Sequence, residues 1–104
     1  MSRVFSTEEF DNVEKTLPAF YQLRIEAFIK QLKKSSQIGQ PLGYSYFREK
    51  KMDKFRLYFL VYDELDSILL VTISSKKTQQ KTINEIKENL DSYNEIIKKK
   101  INAL

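Results

Sequence analysis

Basic and aromatic side chains recur at every second position in two neighbouring runs: Tyr46, Arg48 and Lys50, then Lys54, Arg56 and Tyr58, with Lys76 and Lys77 after a third, apolar run. In an extended chain, alternate residues share one side. Guanidinium and ammonium groups neutralise phosphates and a tyrosine ring offers a platform for an unstacked base, so the pattern fits an RNA surface. It fits equally an ordinary solvated sheet face, with Arg48, Lys50 and Arg56 pairing Glu49 or Glu64 and the tyrosines half-buried. Histidine and cysteine are absent. That removes Ser-His-Asp triads, thiol nucleophiles, disulfides and the usual zinc sites, and leaves acid–base chemistry to carboxylates, Lys, Arg or Tyr. Neither a metal nor a cofactor is expected.

The elements that would position these residues follow from hydrophobic periodicity. Arg3-Val4-Phe5 reads as a short strand, and Ser6 with Glu9 three residues on has capping-box spacing. Phe10, Val13 and Leu17 make a first amphipathic helix. Pro18 suits the first turn of a second helix, whose stripe of Phe20, Leu23, Ala27, Phe28 and Leu32, widened by Ile25 and Ile29 with Tyr21 at its edge, is expected to face the core. Ser35 to Gly43, punctuated by Gly39, Pro41 and Gly43, reads as a loop.

From Tyr44 the period becomes two, predicting strands over Tyr44 to Lys51, Lys54 to Tyr62 and Ser67 to Ser74. Connections this short make an antiparallel β-meander. After Lys77, Ile83, Ile86, Leu90, Tyr93, Ile97, Ile101 and Leu104 predict one long amphipathic helix, expected to pack on the sheet, with pairing of two chains through it as the alternative. At 104 residues the chain is one α+β domain spanning 1–104. Phe55, Leu57, Phe59 and Val61 share the core side of the central strand; if Phe47 points to that core, Arg48 and Lys50 emerge beside Arg56 on the other side.

The charge of +4 favours anionic partners. No signal-peptide stretch follows Met1 and no run approaches the ~20 apolar residues of a membrane span. A cytoplasmic location, with no membrane partner, is the expectation.

The order strand, helix, helix, meander, with Lys15-Thr16-Leu17-Pro18, Gly39-Gln40-Pro41-Leu42, Phe47-Arg48-Glu49-Lys50, Phe55-Arg56-Leu57-Tyr58-Phe59 and Val71-Thr72-Ile73 before Lys76-Lys77, resembles the RelE/ParE toxin superfamily over residues 3 to 83. The resemblance implies a toxin of a type II toxin–antitoxin system: a metal-independent endoribonuclease that cuts ribosome-bound messenger RNA with the 2′-hydroxyl as nucleophile, held inactive by a cognate antitoxin peptide. By position it implies catalytic roles for Arg48, Lys50, Arg56 and Lys77, with Arg56 and Lys77 on the phosphate and Lys50 in proton transfer, and RNA contacts from Tyr46, Lys54, Tyr58 and Lys76. RelE enzymes usually place a tyrosine shortly after the terminal basic residues; Thr78-Gln79-Gln80-Lys81-Thr82-Ile83 contains none. Two alternatives stand beside the nuclease: a ParE-like toxin acting by binding DNA gyrase, and an inactive RNA- or protein-binding module of the same fold.

Overall fold

The computed structural model describes residues 2–104. In chain order its elements are β1 (Arg3–Ser6), α1 (Glu8–Thr16), α2 (Ala19–Lys34), β2 (Gln40–Pro41), β3 (Phe47–Met52), β4 (Phe55–Tyr62), β5 (Ser67–Ser75), α3 (Gln79–Glu88) and α4 (Leu90–Asn102). The expected α+β order is present. The meander β3–β4–β5 forms the centre of one mixed five-stranded sheet, ordered β1-β5-β4-β3-β2, in which β1 runs parallel to β5.

The sheet is covered on both faces. On one, Phe10, Leu17, Ile25, Phe28 and Leu32 of the helical hairpin pack on Leu57, Phe59, Val61, Ile68, Leu70 and Ile73. On the other, Ile83, Ile86 and Ile97 of α3 and α4 pack on Phe47, Tyr58, Leu60, Leu69 and Val71. Two cores therefore share β4 and β5. That is why those strands read as nearly continuous apolar runs rather than clean alternations. Each fully buried Phe, Leu or Ile contributes about 1.5–3 kcal/mol relative to exposure.

Local chemistry sets the joints. The α1 cap is Thr7 rather than Ser6: Phe10 N–H donates to Thr7 Oγ1 at 3.0 Å, while the Thr7 hydroxyl donates to Val71 O at 2.6 Å. Ser6 is still in the β1 ladder opposite Leu70, and its hydroxyl donates to Asp11 Oδ1 at 2.6 Å. Pro18 precedes α2 as its cap residue. Within the expected loop, Gln40 and Pro41 pair with Glu49 and Arg48 as a short edge strand. A side chain at Gly39, whose φ is +81°, would place its Cβ 2.7 Å from Glu49 O, so only glycine allows that approach.

β3 begins at Phe47, three residues later than the alternation suggests, because Tyr44 to Tyr46 form a turn closed by Phe47 N–H to Tyr44 O. The C-terminal helical span is as long as expected but breaks at Asn89. The Asn89 side-chain amide donates to Glu85 O at 2.7 Å, its own N–H donates to Ile86 O, and its carbonyl receives Tyr93 N–H, ending one helix and starting the next. Asparagine's competition with the backbone explains an interruption that apolar spacing alone does not register. No helix among the described residues is long and apolar enough to cross a membrane.

The cap assignment predicts that Thr7→Ala lowers stability by about 1–2 kcal/mol, and by more than Ser6→Ala. Urea-denaturation midpoints of the two variants test it; equal losses would return the cap to Ser6.

Candidate nucleic-acid interface

Antiparallel register decides which side chains can act together. Asp53 and Lys54 form a two-residue turn, with Asp53 at φ +55°, so Met52 faces Phe55 and the pairing runs Lys51 with Arg56, Lys50 with Leu57, Glu49 with Tyr58, Arg48 with Phe59 and Phe47 with Leu60. Residues directly opposite share a face. Phe47, Glu49, Lys51, Arg56 and Tyr58 therefore lie on the α3–α4 side, and Arg48 and Lys50 on the α1–α2 side.

This corrects the expected common face of Arg48, Lys50 and Arg56. Phe47 does point into a core, but into the second one, which sends its neighbours to the opposite side from Arg56. Arg48 is buried as a structural staple: Nε donates to Ile38 O at 2.8 Å, and its two terminal nitrogens donate to Ser45 O and Gly39 O at 3.0 Å each. The Lys50 ammonium lies 5.5 Å from the centre of the Phe28 ring. Tyr46 stacks on Tyr44 with centroids 5.0 Å apart, at the far end of β4 beside Tyr62, Asp63, Glu64 and Asp91. Tyr58 is fully buried, its hydroxyl 2.8 Å from Ser74 Oγ. Burial, foremost, pushes its pKa above the ordinary tyrosine value, with Glu49 adding to the shift while the Ser74 bond and Arg56 oppose it.

The remaining candidates gather at the end of the sheet marked by the β3–β4 turn. Lys51, Arg56 and Ser74 lie abreast on neighbouring strands. Lys76 N–H donates to Lys54 O at 2.7 Å, tying the end of β5 to the turn. Lys54, Lys76 and Lys77 surround Phe55 and Ser75 in a cleft of about 430 Å³. Arg56 is 7% exposed; one terminal nitrogen donates to Asp53 O at 2.8 Å and Phe55 O at 2.9 Å, while its buried Nε has no partner among the described residues. An unsatisfied N–H on a guanidinium is costly to bury.

Two residues not singled out from the sequence belong to this region. Glu49 is 3% exposed, and both its carboxylate oxygens accept from Gln79 Nε2, at 3.1 and 2.8 Å, with no cation within ion-pair distance among the described residues. Its signal was its place two residues after Phe47 in the same inward alternation, where a carboxylate is rare. Lys51 takes the position beside Arg56 expected of Lys50. Among the described residues, no group of three or more His, Cys, Asp or Glu could hold a metal ion.

No family model and no curated protein matches the chain. Solved structures do. The isolated Escherichia coli RelE toxin superposes with a TM-score of 0.65 at 13% identity, over 83% of this chain and 99% of that one. The E. coli RelBE toxin–antitoxin complex gives 0.65 at 14% identity, over 72% and 96%. The RelB–RelE antitoxin–toxin complex from Methanococcus jannaschii gives 0.59 at 16% identity, over 73% and 94%. The chain has the fold of RelE.

Arg48→Ala removes three charge-assisted bonds to backbone carbonyls and is expected to cost about 2–4 kcal/mol of stability. Thermal or urea denaturation tests this; a loss below about 0.5 kcal/mol, the range of an ordinary surface change, would remove the staple.

Proposed function

We propose that this chain is the toxin of a toxin–antitoxin pair and acts by cutting RNA at the basic end of its sheet, without a metal. The observation that carries the reading is Arg56: a largely buried guanidinium flanked by Lys51 and on the same face as the buried carboxylate of Glu49. The RelE fold supports the toxin assignment, and the RelE neighbours solved with RelB support an antitoxin peptide as partner.

The chemistry is a transesterification. The 2′-oxygen attacks the adjacent phosphorus and the bond to the 5′-oxygen breaks, leaving a 2′,3′-cyclic phosphate and a 5′-hydroxyl. Glu49 takes the 2′-proton, Arg56 and Lys77 stabilise the charge on the phosphoryl oxygens, and the Lys51 ammonium gives a proton to the departing 5′-oxygen. Lys51 replaces Lys50 in the proton-transfer role, because Lys50 stands over Phe28 on the other face. Tyr58, neutral and bonded to Ser74, holds the strand between Glu49 and Arg56 rather than stacking on a base. Messenger RNA on the ribosome is the substrate this reading favours, and the cytoplasm its place of action.

A binding-only reading is favoured by one observation. Glu49, Tyr58 and Arg56 are each less than a tenth exposed, and the first residue of α3, Gln79, closes on Glu49, so cleavage requires that contact to open.

RNA incubated with the protein in EDTA, alone and with translating ribosomes, is expected to yield cyclic-phosphate ends. Arg56→Ala and Glu49→Gln are each expected to lower the cleavage rate by about 10²-fold or more. Inhibition of DNA gyrase without any cleavage would transfer the assignment to the gyrase-binding alternative; neither activity would leave an inactive module.

A further inference from the structure

The cleft around Phe55 has a composition that packing alone does not require. Its lining is Lys54, Phe55, Ser75, Lys76 and Lys77, three cations and an aromatic ring with no carboxylate among them. The acid of the adjoining turn, Asp53, is already engaged by Arg24 and by the Tyr21 hydroxyl, each at 3.0 Å. Lys76 and Lys77 stand immediately before α3, whose first turn carries no acid and whose start has no side-chain cap. Cations at the positive end of a ten-residue helix are mutually unfavourable, and a bound anion reverses the sign of that interaction.

Phe55 itself is half-buried and fixed. The Tyr21 ring meets it edge-on, with centroids 4.9 Å apart at 83°, and the Lys54 ammonium lies 5.4 Å from its centre. Apolar ring surface and cationic charge thus sit side by side at a fixed separation. That pairing suits one nucleotide, whose base is flat and apolar-faced and whose phosphate is anionic.

We propose that this cleft is a nucleotide subsite, with Phe55 against an unpaired base and Lys54 and Lys76 on its phosphate. The proposal rests on the RNA reading of the basic end given above. Phe55 and Arg56 are adjacent in β4 and point to opposite faces of the sheet. A strand that places one phosphate on Arg56 and the next nucleotide on Phe55 therefore turns around the end of the sheet. A flexible single strand makes that turn; a stiff double helix does not.

The test is binding of the full chain to a fluorescent hexanucleotide bearing 2′-methoxy groups, which cannot be cut, and to the same sequence as a duplex, across a range of salt concentrations. Phe55→Leu keeps the apolar packing on Tyr21 but loses the aromatic face. It is expected to weaken single-strand binding about tenfold with an unchanged salt slope. Lys54→Ala and Lys76→Ala are each expected to reduce that slope by about 0.7, the value of one phosphate contact on a single strand. The duplex is expected to bind at least about tenfold more weakly than the single strand. Circular dichroism checks that Phe55→Leu folds, and the exposed lysines decide the matter if it does not. Unchanged affinity and slope in all three variants, together with loss of binding in Arg56→Ala, overturn the subsite and leave the RNA reading standing. Equal binding of the duplex also overturns the subsite. No binding by the unaltered protein overturns the RNA reading and the subsite with it.

Discussion

A turn of two residues, Asp53 and Lys54, fixes the chemistry available to this protein. A two-residue connection pairs odd-numbered positions of one strand with even-numbered positions of the next, so Phe47 must share its side with Leu60 and Tyr58, never with Phe59. Every other consequence for the central hairpin follows. Glu49, Lys51 and Arg56 fall to the α3–α4 side, and Arg48 and Lys50 to the α1–α2 side. A slip by one residue would exchange the two sets and drive charged groups into both cores, which is why the register is so strongly specified.

The two arginines of this hairpin show how little residue type alone determines. Arg48 has its guanidinium saturated by three backbone carbonyls from the irregular chain around Gly39 and Ser45, and so substitutes for the regular pairing that this segment lacks. Arg56 has only one nitrogen committed to carbonyls, those of its own turn, and keeps Nε unpaired among the described residues. The first is consumed by folding. The second is only partly engaged by the fold.

Much of the architecture was legible in the residues. Phe10, Val13 and Leu17, the Leu17-Pro18 joint, the stripe of α2 and the three apolar runs of the meander predict elements that are present, in the order that makes the RelE fold. Phe20 and Leu23 of the α2 stripe are nevertheless exposed, and Ile25, Phe28 and Leu32 form its buried side. Other details depend on competition between near-equivalent neighbours: whether Ser6 or Thr7 caps α1 is decided by where the β1 ladder ends. The break at Asn89 is a side-chain effect invisible to hydrophobic spacing. The basic site was half legible. Arg56, Lys54, Lys76 and Lys77 do converge on one end of the sheet, whereas Arg48, Lys50 and Tyr46 leave it, because the alternation was read against one core and the sheet has two. The turn length already contained the correction, since any two-residue connection gives the same parity.

The parallel pairing of β1 with β5 bears on the order in which the protein assembles. Arg3 meets Ser67, and Thr7 holds Val71, across most of the length of the chain. Closing so long a loop is entropically expensive, whereas the hairpins of the meander close locally. As the polypeptide leaves the ribosome, its first strand has no partner until the last one has emerged. The N-terminal helices consequently remain without the sheet they cover until β5 has emerged, and the meander is the natural nucleus on which they then dock.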